Sequence, residues 1–148
     1  LPTSESQIPL GESEPVAGTP MDFVNEKPIG QDIEADFLPL KIGKGYDHCW
    51  VIDGTEPGQL QTCAELYSPE SGRLLEIFTT QPGVQIYTGN WLAGCPVAKC
   101  GRSYNDYEGV AIECQNFPDA PNKADYPSAV LRPGEVYEQA IIFAFGTK

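Results

Sequence analysis

Apolar and polar residues alternate over short segments along most of the chain after residue 45. Alternation with a period of two puts successive side chains on opposite faces of the backbone, which is typical of β-strands. The segments begin at residues 48, 62, 73, 83, 109 and 135 and read HCWVID, TCAELYS, RLLEIFTT, GVQIYTGN, GVAIECQ and EVYEQAIIFAFG. We therefore predict an all-β, mostly antiparallel domain without an amphipathic helix.

Two turn motifs and two apolar faces refine this prediction. The PESG turn between the second and third segments predicts a hairpin, and RPGE predicts a tight turn before the last segment. In the third segment Leu75 and Ile77 share one face, and residues 74, 76 and 78 share the other. The last segment is predicted as one long strand with apolar side chains on both faces. Sheets covered on both sides indicate a large sandwich, of which these strands form only a part.

Composition fits a single globular domain with many turns. The chain has 148 residues, 41% of them apolar, with 15 glycines and 14 prolines. Residues 1 to 44 are rich in proline, glycine and acidic residues, and we expect loops and short edge strands there. The chain begins within what looks like running sequence and carries no visible targeting signal, so we expect a processed or fragmentary chain, in either the cytoplasm or a secreted setting.

The charge balance argues against two classes of partner. Nine basic residues face 21 acidic ones, which gives a net charge of −12. Nucleic acids and anionic membranes both require a basic surface, so neither is expected as a partner. No apolar run approaches the roughly 20 residues of a membrane-spanning helix.

The five cysteines form no C-x-x-C pair, so a structural zinc site is not expected. Cys95 and Cys100 are near enough in one loop to form a disulfide in an oxidising compartment, and free thiols are the alternative. Cys49, Cys63 and Cys114 lie in apolar stretches and are predicted to be small buried residues.

Three polar residues stand in otherwise apolar strand contexts, and they are the candidates for chemistry: Asp47, Gln81 and Glu113. The chain has no nucleophile elbow, Walker A motif, dinucleotide-binding glycine run or H-E-x-x-H motif, and His48 is its one histidine. Asp47 and Gln81 can also be explained as turn residues. Glu113 lies opposite an apolar face made by residues 110, 112 and 114, so it faces either plain solvent or a wet cleft. The pattern alone leaves both interpretations open.

Several segments together resemble one known family. IPLGESEPVAGTPMDF, GYDHCWVID, SGRLLEIFTTQPGVQIYTGNWL and GVAIECQNFPDAPNKADYPSAVLRPGEVYEQAIIFAF occur in this order in the C-terminal half of the aldose 1-epimerase (galactose mutarotase) family. The resemblance implies an antiparallel β-sandwich of the galactose mutarotase-like type. Residues 1–148 would be the C-terminal part of that single domain, about half of it, with the N-terminal half absent from this chain.

The resemblance also implies a reaction and a site. The family interconverts the α and β anomers of free aldohexoses such as glucose and galactose, without a metal or other cofactor. Its general base is the glutamate of E-x-Q-x-x-P-D, here Glu113. Asp47 matches the sugar-binding aspartate of G-[FY]-D-H, and Gln81 matches a glutamine of the same pocket. Trp50, Tyr87 and Trp91 are candidates for a sugar-stacking wall, although we expect core packing for at least two of them.

Two departures from the family shape the expectations. The family's acid histidine lies in the N-terminal half, and His48 does not match its position, so a companion N-terminal chain or segment is expected. Cys49 stands where many relatives have asparagine.

A non-catalytic sugar-binding or regulatory protein of the same fold is the alternative function. An epimerase of phosphorylated hexoses is less favoured, because basic residues near the motifs are sparse.

Overall fold

The computed structural model describes residues 1–54, 56 and 58–148, and most of its regular structure is β-strand. Two three-stranded sheets form, in the strand orders β1-β4-β5 and β2-β3-β6. The strands are β1 (Asp47–Val51), β2 (Gln61–Ser68), β3 (Arg73–Thr79), β4 (Gly83–Tyr87), β5 (Ala111–Gln115) and β6 (Ile141–Thr147). The all-β prediction is confirmed.

The predicted hairpin is formed by β2 and β3. These strands pair antiparallel, with Ser68 opposite Arg73, and the backbone N–H of Gly72 donates to the carbonyl of Ser68 at 2.8 Å. Gly72 has φ +68°, a left-handed conformation that glycine adopts at little cost. Leu75 lies opposite Leu66 on one side and Phe145 on the other, as the predicted face requires.

The final strand is shorter than predicted, because it begins at residue 141 rather than 135. Its partner β3 ends at Thr79, and the last ladder contacts are made by Thr80 with Ala140. Beyond Thr80 the chain turns at Gln81 and Pro82, and proline has no N–H to continue a ladder. Residues before 140 therefore have no β3 backbone to pair with.

Strands β1 and β4 run antiparallel. The N–H of Thr88 donates to the carbonyl of Tyr46 at 3.1 Å, and the N–H of Ile52 donates to the carbonyl of Pro82 at 3.0 Å. These two hydrogen bonds lie at the two ends of the strand pair. As the residue number rises from 46 to 52 along one chain segment, the number of the bonded residue falls from 88 to 82 along the other. Such an order is possible only for antiparallel strands.

Two short helices were not predicted. Helix α1 (Leu38–Gly43) has a proline in its first turn, where the missing N–H costs no hydrogen bond. It is capped at its C-terminal end by Lys44, whose φ of 55° is left-handed. A 3-10 helix covers Ala120–Asn122. Six and three residues are too short to produce a helical hydrophobic period in the sequence. Among the described residues, no helix is long and apolar enough to cross a membrane.

The chain divides into two compact units. The first comprises Leu1–Trp50 and Gln85–Glu113, and the second comprises Val51–Val84 and Cys114–Lys148. The first unit buries Leu40, Tyr46 and Cys49, while the second buries residues 52, 77 and 84.

Cys95 and Cys100 are free thiols, so the disulfide considered for them is not formed. The sulfur of Cys95 instead accepts the N–H of Tyr104 at 3.3 Å, and Cys100 is exposed. Cys49 is buried as predicted. Cys63 and Cys114 are half-buried, which corrects the prediction that they are small buried residues.

Candidate functional site

The site begins with a hydrogen-bond network that anchors the start of β1. Asn90 is fully buried, and its Nδ2 donates to the carbonyl of Gly43 at 2.7 Å and to that of Tyr46 at 3.0 Å. The N–H of Tyr46 donates to Oγ1 of Thr88 at 3.1 Å, and the Thr88 hydroxyl donates to Oδ1 of Asn90. We call these contacts the Asn90 network. They fix the backbone immediately before Asp47.

Gly45 is required where this network passes closest to the backbone. Its φ is +134°, and a Cβ there would lie 2.7 Å from Oδ1 of Asn90. Any side chain would therefore collide with a buried amide that already has its hydrogen-bond partners. The glycine of G-Y-D-H and the asparagine of T-G-N thus depend on each other.

Asp47 is the first residue of β1 and is half-buried. Its N–H donates to Nδ1 of His48 at 3.0 Å, and its Oδ1 accepts a hydrogen bond from Nε2 of Gln85, on β4, at 2.8 Å. Among the described residues, its second oxygen, Oδ2, has no hydrogen-bond partner. The Asp47 carboxylate is therefore held in place through Oδ1, and its Oδ2 is still able to accept a hydrogen bond.

His48 is a buried structural residue, only 4% exposed. Burial lowers the pKa of its imidazole to about 4, and the neighbouring Asp47 carboxylate opposes this effect only in part. The ring is consequently neutral at pH 7 and accepts a backbone hydrogen bond. A buried, neutral imidazole of this kind is consistent with the prediction that His48 is not the general acid.

Gln81 lies between β3 and β4 and is 5% exposed. Its backbone N–H donates to Oγ1 of Thr79 at 3.1 Å, and its Nε2 donates to the hydroxyl of Tyr137 at 2.7 Å. Its Oε1 is buried and has no partner among the described residues. A buried acceptor without a donor costs about 1–3 kcal/mol, so this oxygen is well suited to a ligand hydroxyl.

Glu113 is the exposed residue of β5, with the half-buried Ile112 and Cys114 on either side. Its side chain therefore leaves the apolar face, as the alternation predicts. Glu113 and Asp47 belong to the first unit, on the two strands that flank β4 in one sheet, whereas Gln81 belongs to the second unit. Among the described hydrogen bonds, the side chain of Asp47 is joined to Gln85 and that of Gln81 to Tyr137, and none involves the Glu113 side chain.

The three candidate aromatic residues have different environments. Trp50 packs edge-on against Phe23, with ring centroids 6.0 Å apart, and its indole N–H donates to the carbonyl of Met21. Tyr87 is half-buried, and its hydroxyl accepts the backbone N–H of Trp91 at 3.0 Å. Trp91 is 61% exposed, with the Lys44 ammonium 3.9 Å from its ring centroid. Trp50 and Tyr87 are thus half-buried rather than enclosed in the core, which corrects the expectation of core packing for at least two of the three, and Trp91 presents the most exposed ring.

Two hydrogen-bond partners of the candidate residues were missed by sequence reasoning: Gln85, which contacts Asp47, and Tyr137, which contacts Gln81. Gln85 interrupts the otherwise apolar segment GVQIY, which is the same signal that singled out Glu113. Tyr137 gave no such signal, because a tyrosine in an apolar strand pattern is ordinary.

Comparisons with known proteins cover nearly the whole chain. The family model described as aldose 1-epimerase matches residues 1–144. Human galactose mutarotase is 40% identical over 145 residues, which are 98% of this chain and 40% of the human protein. Aldose 1-epimerase of Escherichia coli K12 is 35% identical over 147 residues, 98% of this chain and 42% of that protein. The chain therefore spans about two-fifths of the length of these relatives.

Solved structures agree on the fold. A GalM/aldose epimerase homologue from C. elegans superimposes with a TM-score of 0.81 at 29% identity, covering 99% of this chain and 42% of the other. Galactose 1-epimerase from Lactobacillus acidophilus gives a TM-score of 0.71 at 25% identity, covering 99% and 41%. The predicted fold type is confirmed by these likenesses. By sequence and by fold, the chain belongs to the aldose 1-epimerase family.

Proposed function

We propose that this chain is part of an aldose 1-epimerase that interconverts the α and β anomers of free aldohexoses such as glucose and galactose. The observation that carries the proposal is Glu113, a carboxylate held exposed in the middle of a strand whose other residues are half-buried. It stands in the E-x-Q-x-x-P-D motif of a chain that belongs to this family.

In the proposed reaction, Glu113 is the general base. Its carboxylate takes the proton of the anomeric hydroxyl, the bond between C1 and the ring oxygen breaks, and a proton is delivered to that oxygen. The C1–C2 bond of the open-chain aldehyde then rotates, and the ring closes on the opposite carbonyl face. A positioned base contributes typically about 10²–10⁴-fold to such a rate.

Asp47 and Gln81 are proposed to bind sugar hydroxyls. Asp47 offers Oδ2, and Gln81 offers its buried Oε1, and both atoms are acceptors without a partner among the described residues. Sugar hydroxyls are donors of the matching kind. Hydrogen bonds from a sugar to these acceptors would favour binding, because no hydrogen bond within the protein has to be broken to form them.

The general acid is proposed to come from a companion segment outside residues 1–148. The single histidine of the chain, His48, is buried and neutral at pH 7. The relatives are about 2.5 times as long as this chain, since it covers 40% of the human protein. We propose that residues 1–148 are the C-terminal part of one domain, which an N-terminal segment completes.

Polarimetry tests the proposal. The full gene product, with this chain inside it, is mixed with freshly dissolved α-glucose or α-galactose, and the decay of optical rotation is followed. We expect acceleration by the parent and a loss of at least about 100-fold in the Glu113→Gln variant. Glu76→Gln, which changes a mid-strand glutamate of β3, is the matched control and keeps the parental rate.

Two outcomes would contradict the proposal. A Glu113→Gln variant as fast as the parent would show that this residue is not the base. Galactose binding in calorimetry without any acceleration by the parent would instead identify a non-catalytic sugar-binding protein.

A further inference from the structure

We propose that Gln85 is a positioning residue, whose side-chain amide orients the Asp47 carboxylate for sugar recognition. The inference rests on the proposed function, because it assigns Gln85 a task in that same site. Gln85 lies on β4, the strand between the one that carries Asp47 and the one that carries Glu113. Its Nε2 donates to Oδ1 of Asp47 at 2.8 Å, across 38 positions of sequence.

The orientation of the amide follows from charge. An ionised carboxylate can only accept hydrogen bonds, so the Gln85 amide must turn its NH₂ group toward Asp47. This orientation forces Oε1 to the other side, where it is buried and has no partner among the described residues. The contact with Asp47 therefore leaves Gln85 with an unsatisfied acceptor.

Folding stability alone does not account for this arrangement. A hydrogen bond to a charged group stabilises the fold, but an orphaned buried acceptor costs a free energy of comparable size. An apolar side chain of similar volume at position 85 would avoid that cost and fit the apolar segment GVQIY. The benefit of glutamine here lies in fixing one carboxylate oxygen of Asp47, so that the other oxygen faces a ligand in a single direction.

Preorganisation is the reason that this matters for binding. A carboxylate that rotates freely must be ordered when sugar binds, and that ordering reduces affinity. With Oδ1 held by Gln85, the ordering is already complete in the free protein. Loss of the contact is therefore expected to raise KM for the aldose more than it lowers kcat.

A double-mutant cycle in the full gene product tests this. Gln85→Met keeps the volume and removes the amide, and Asp47→Ala removes the group that it orients. We expect Gln85→Met to raise KM for galactose about 10-fold or more in the parent, from the loss of a charged hydrogen bond. In the Asp47→Ala background the same change should have less than about a twofold effect, since there is no carboxylate left to orient.

Gln61→Met is the matched control. Gln61 is another strand glutamine with a buried, unpartnered side-chain atom, Nε2, among the described residues, and it lies on β2 in the second unit. Its substitution should leave KM at the parental value. Thermal unfolding of all variants confirms that each is folded before kinetics are compared.

Several results would overturn the proposal. One is a parental KM in Gln85→Met, and another is an equal effect of Gln85→Met with and without Asp47. If the parent neither binds galactose nor accelerates mutarotation, the proposed function fails. The positioning role is then judged from crystal structures of the parent and Gln85→Met, in which an unchanged Asp47 side-chain conformation would refute it.

Discussion

At the scale of single residues, His48 makes folding sensitive to acid. It is the one histidine of the chain and is 4% exposed, with its pKa lowered to about 4 by burial. In the unfolded chain the pKa of the imidazole returns to its ordinary value of 6.5, so between these two values the unfolded state binds more protons than the folded one. Unfolding free energy must therefore fall as pH falls through this window.

We expect a loss of up to about 3 kcal/mol between pH 6.5 and 4, measured by urea unfolding at successive pH values. The comparison is His48→Gln, which keeps an acceptor near the N–H of Asp47 but cannot take up a proton. The variant should show a much flatter dependence between pH 6.5 and 5, above the range in which most carboxylates titrate. Equal slopes in the two proteins would show that His48 does not cause the acid sensitivity.

The candidate site was predictable from sequence only in part. Asp47, Gln81 and Glu113 were found because each interrupts an apolar pattern or matches a motif. Pattern alone did not decide whether they lie in a cleft, since an exposed side chain on a strand looks the same in either case. The partners Gln85 and Tyr137 are separated from Asp47 and Gln81 by 38 and 56 positions, and periodicity carries no information about such contacts.

At the scale of elements, a β-bulge in β2 brings two thiols together. The register of β2 against β3 shifts between Thr62 and Ala64, so Cys63 is the extra residue of the bulge. Bulges redirect side chains. The Cys63 sulfur lies 3.9 Å from that of Cys114, on β5. Burial raises the pKa of the Cys63 thiol to about 12, and the neighbouring Cys114 thiol adds to this rise.

We expect Cys63 and Cys114 to form a disulfide with oxidised glutathione. Each thiol gives up one proton and one electron as the new S–S bond forms, and the S–S bond of glutathione breaks to give two glutathione thiols. A link across 51 positions should add about 4 kcal/mol to the unfolding free energy in the chain-entropy model. The high pKa of Cys63 makes the reaction slow at neutral pH and faster in alkali.

Peptide mapping by mass spectrometry identifies the bond, and thermal unfolding measures its effect. Cys95→Ser should retain both the bond and the rise in melting temperature, while Cys114→Ser should lose both. Cys100 is exposed, so a mixed disulfide with glutathione is expected there in all three proteins. A map with no peptide linking residues 63 and 114 would contradict the expectation.

The elements themselves were largely predictable, and the errors have physical causes. Alternation located the strands and the PESG turn located the hairpin, because both signals are local. The length of β6 was overestimated, since alternation continues back to residue 135 whereas its partner β3 stops at Thr79. Pairing depends on a partner that is distant in sequence, and the alternation of one strand does not reveal it.

At the scale of the whole molecule, β6 is an apolar edge strand open to solvent. Among the strands of the described residues it pairs with β3 alone, and large apolar side chains are exposed along it. Those at positions 141, 142, 143 and 145 are 44%, 45%, 49% and 83% exposed. A long, exposed and apolar edge of this kind is a template for pairing with another chain.

We expect the isolated 148-residue chain to self-associate through β6. Light scattering after size exclusion should show a mass that rises with concentration. The double change of Phe143 and Phe145 to lysine should reduce it, because charge on an edge strand opposes pairing. Val24→Lys is the control, since Val24 is 78% exposed but lies outside the strands.

In the full gene product, the companion segment that we propose is expected to cover this edge and to suppress the association. A concentration-independent monomer of the isolated chain would contradict the expectation. So would equal association of the Val24→Lys and double-lysine variants.

The Asn90 network has a consequence for the order in which the protein folds during its synthesis on the ribosome. It joins the backbone at Tyr46 to a side chain 44 positions later, whereas the β2–β3 hairpin closes over the four residues of its turn. Contacts between distant positions form late, because a long loop must first close. A nascent chain can thus complete its hairpin early, but Asp47 has no anchored strand until Asn90 has left the exit tunnel. Translation that stalls after the hairpin has left the tunnel, but before Asn90 has done so, leaves a folded hairpin without the start of the site.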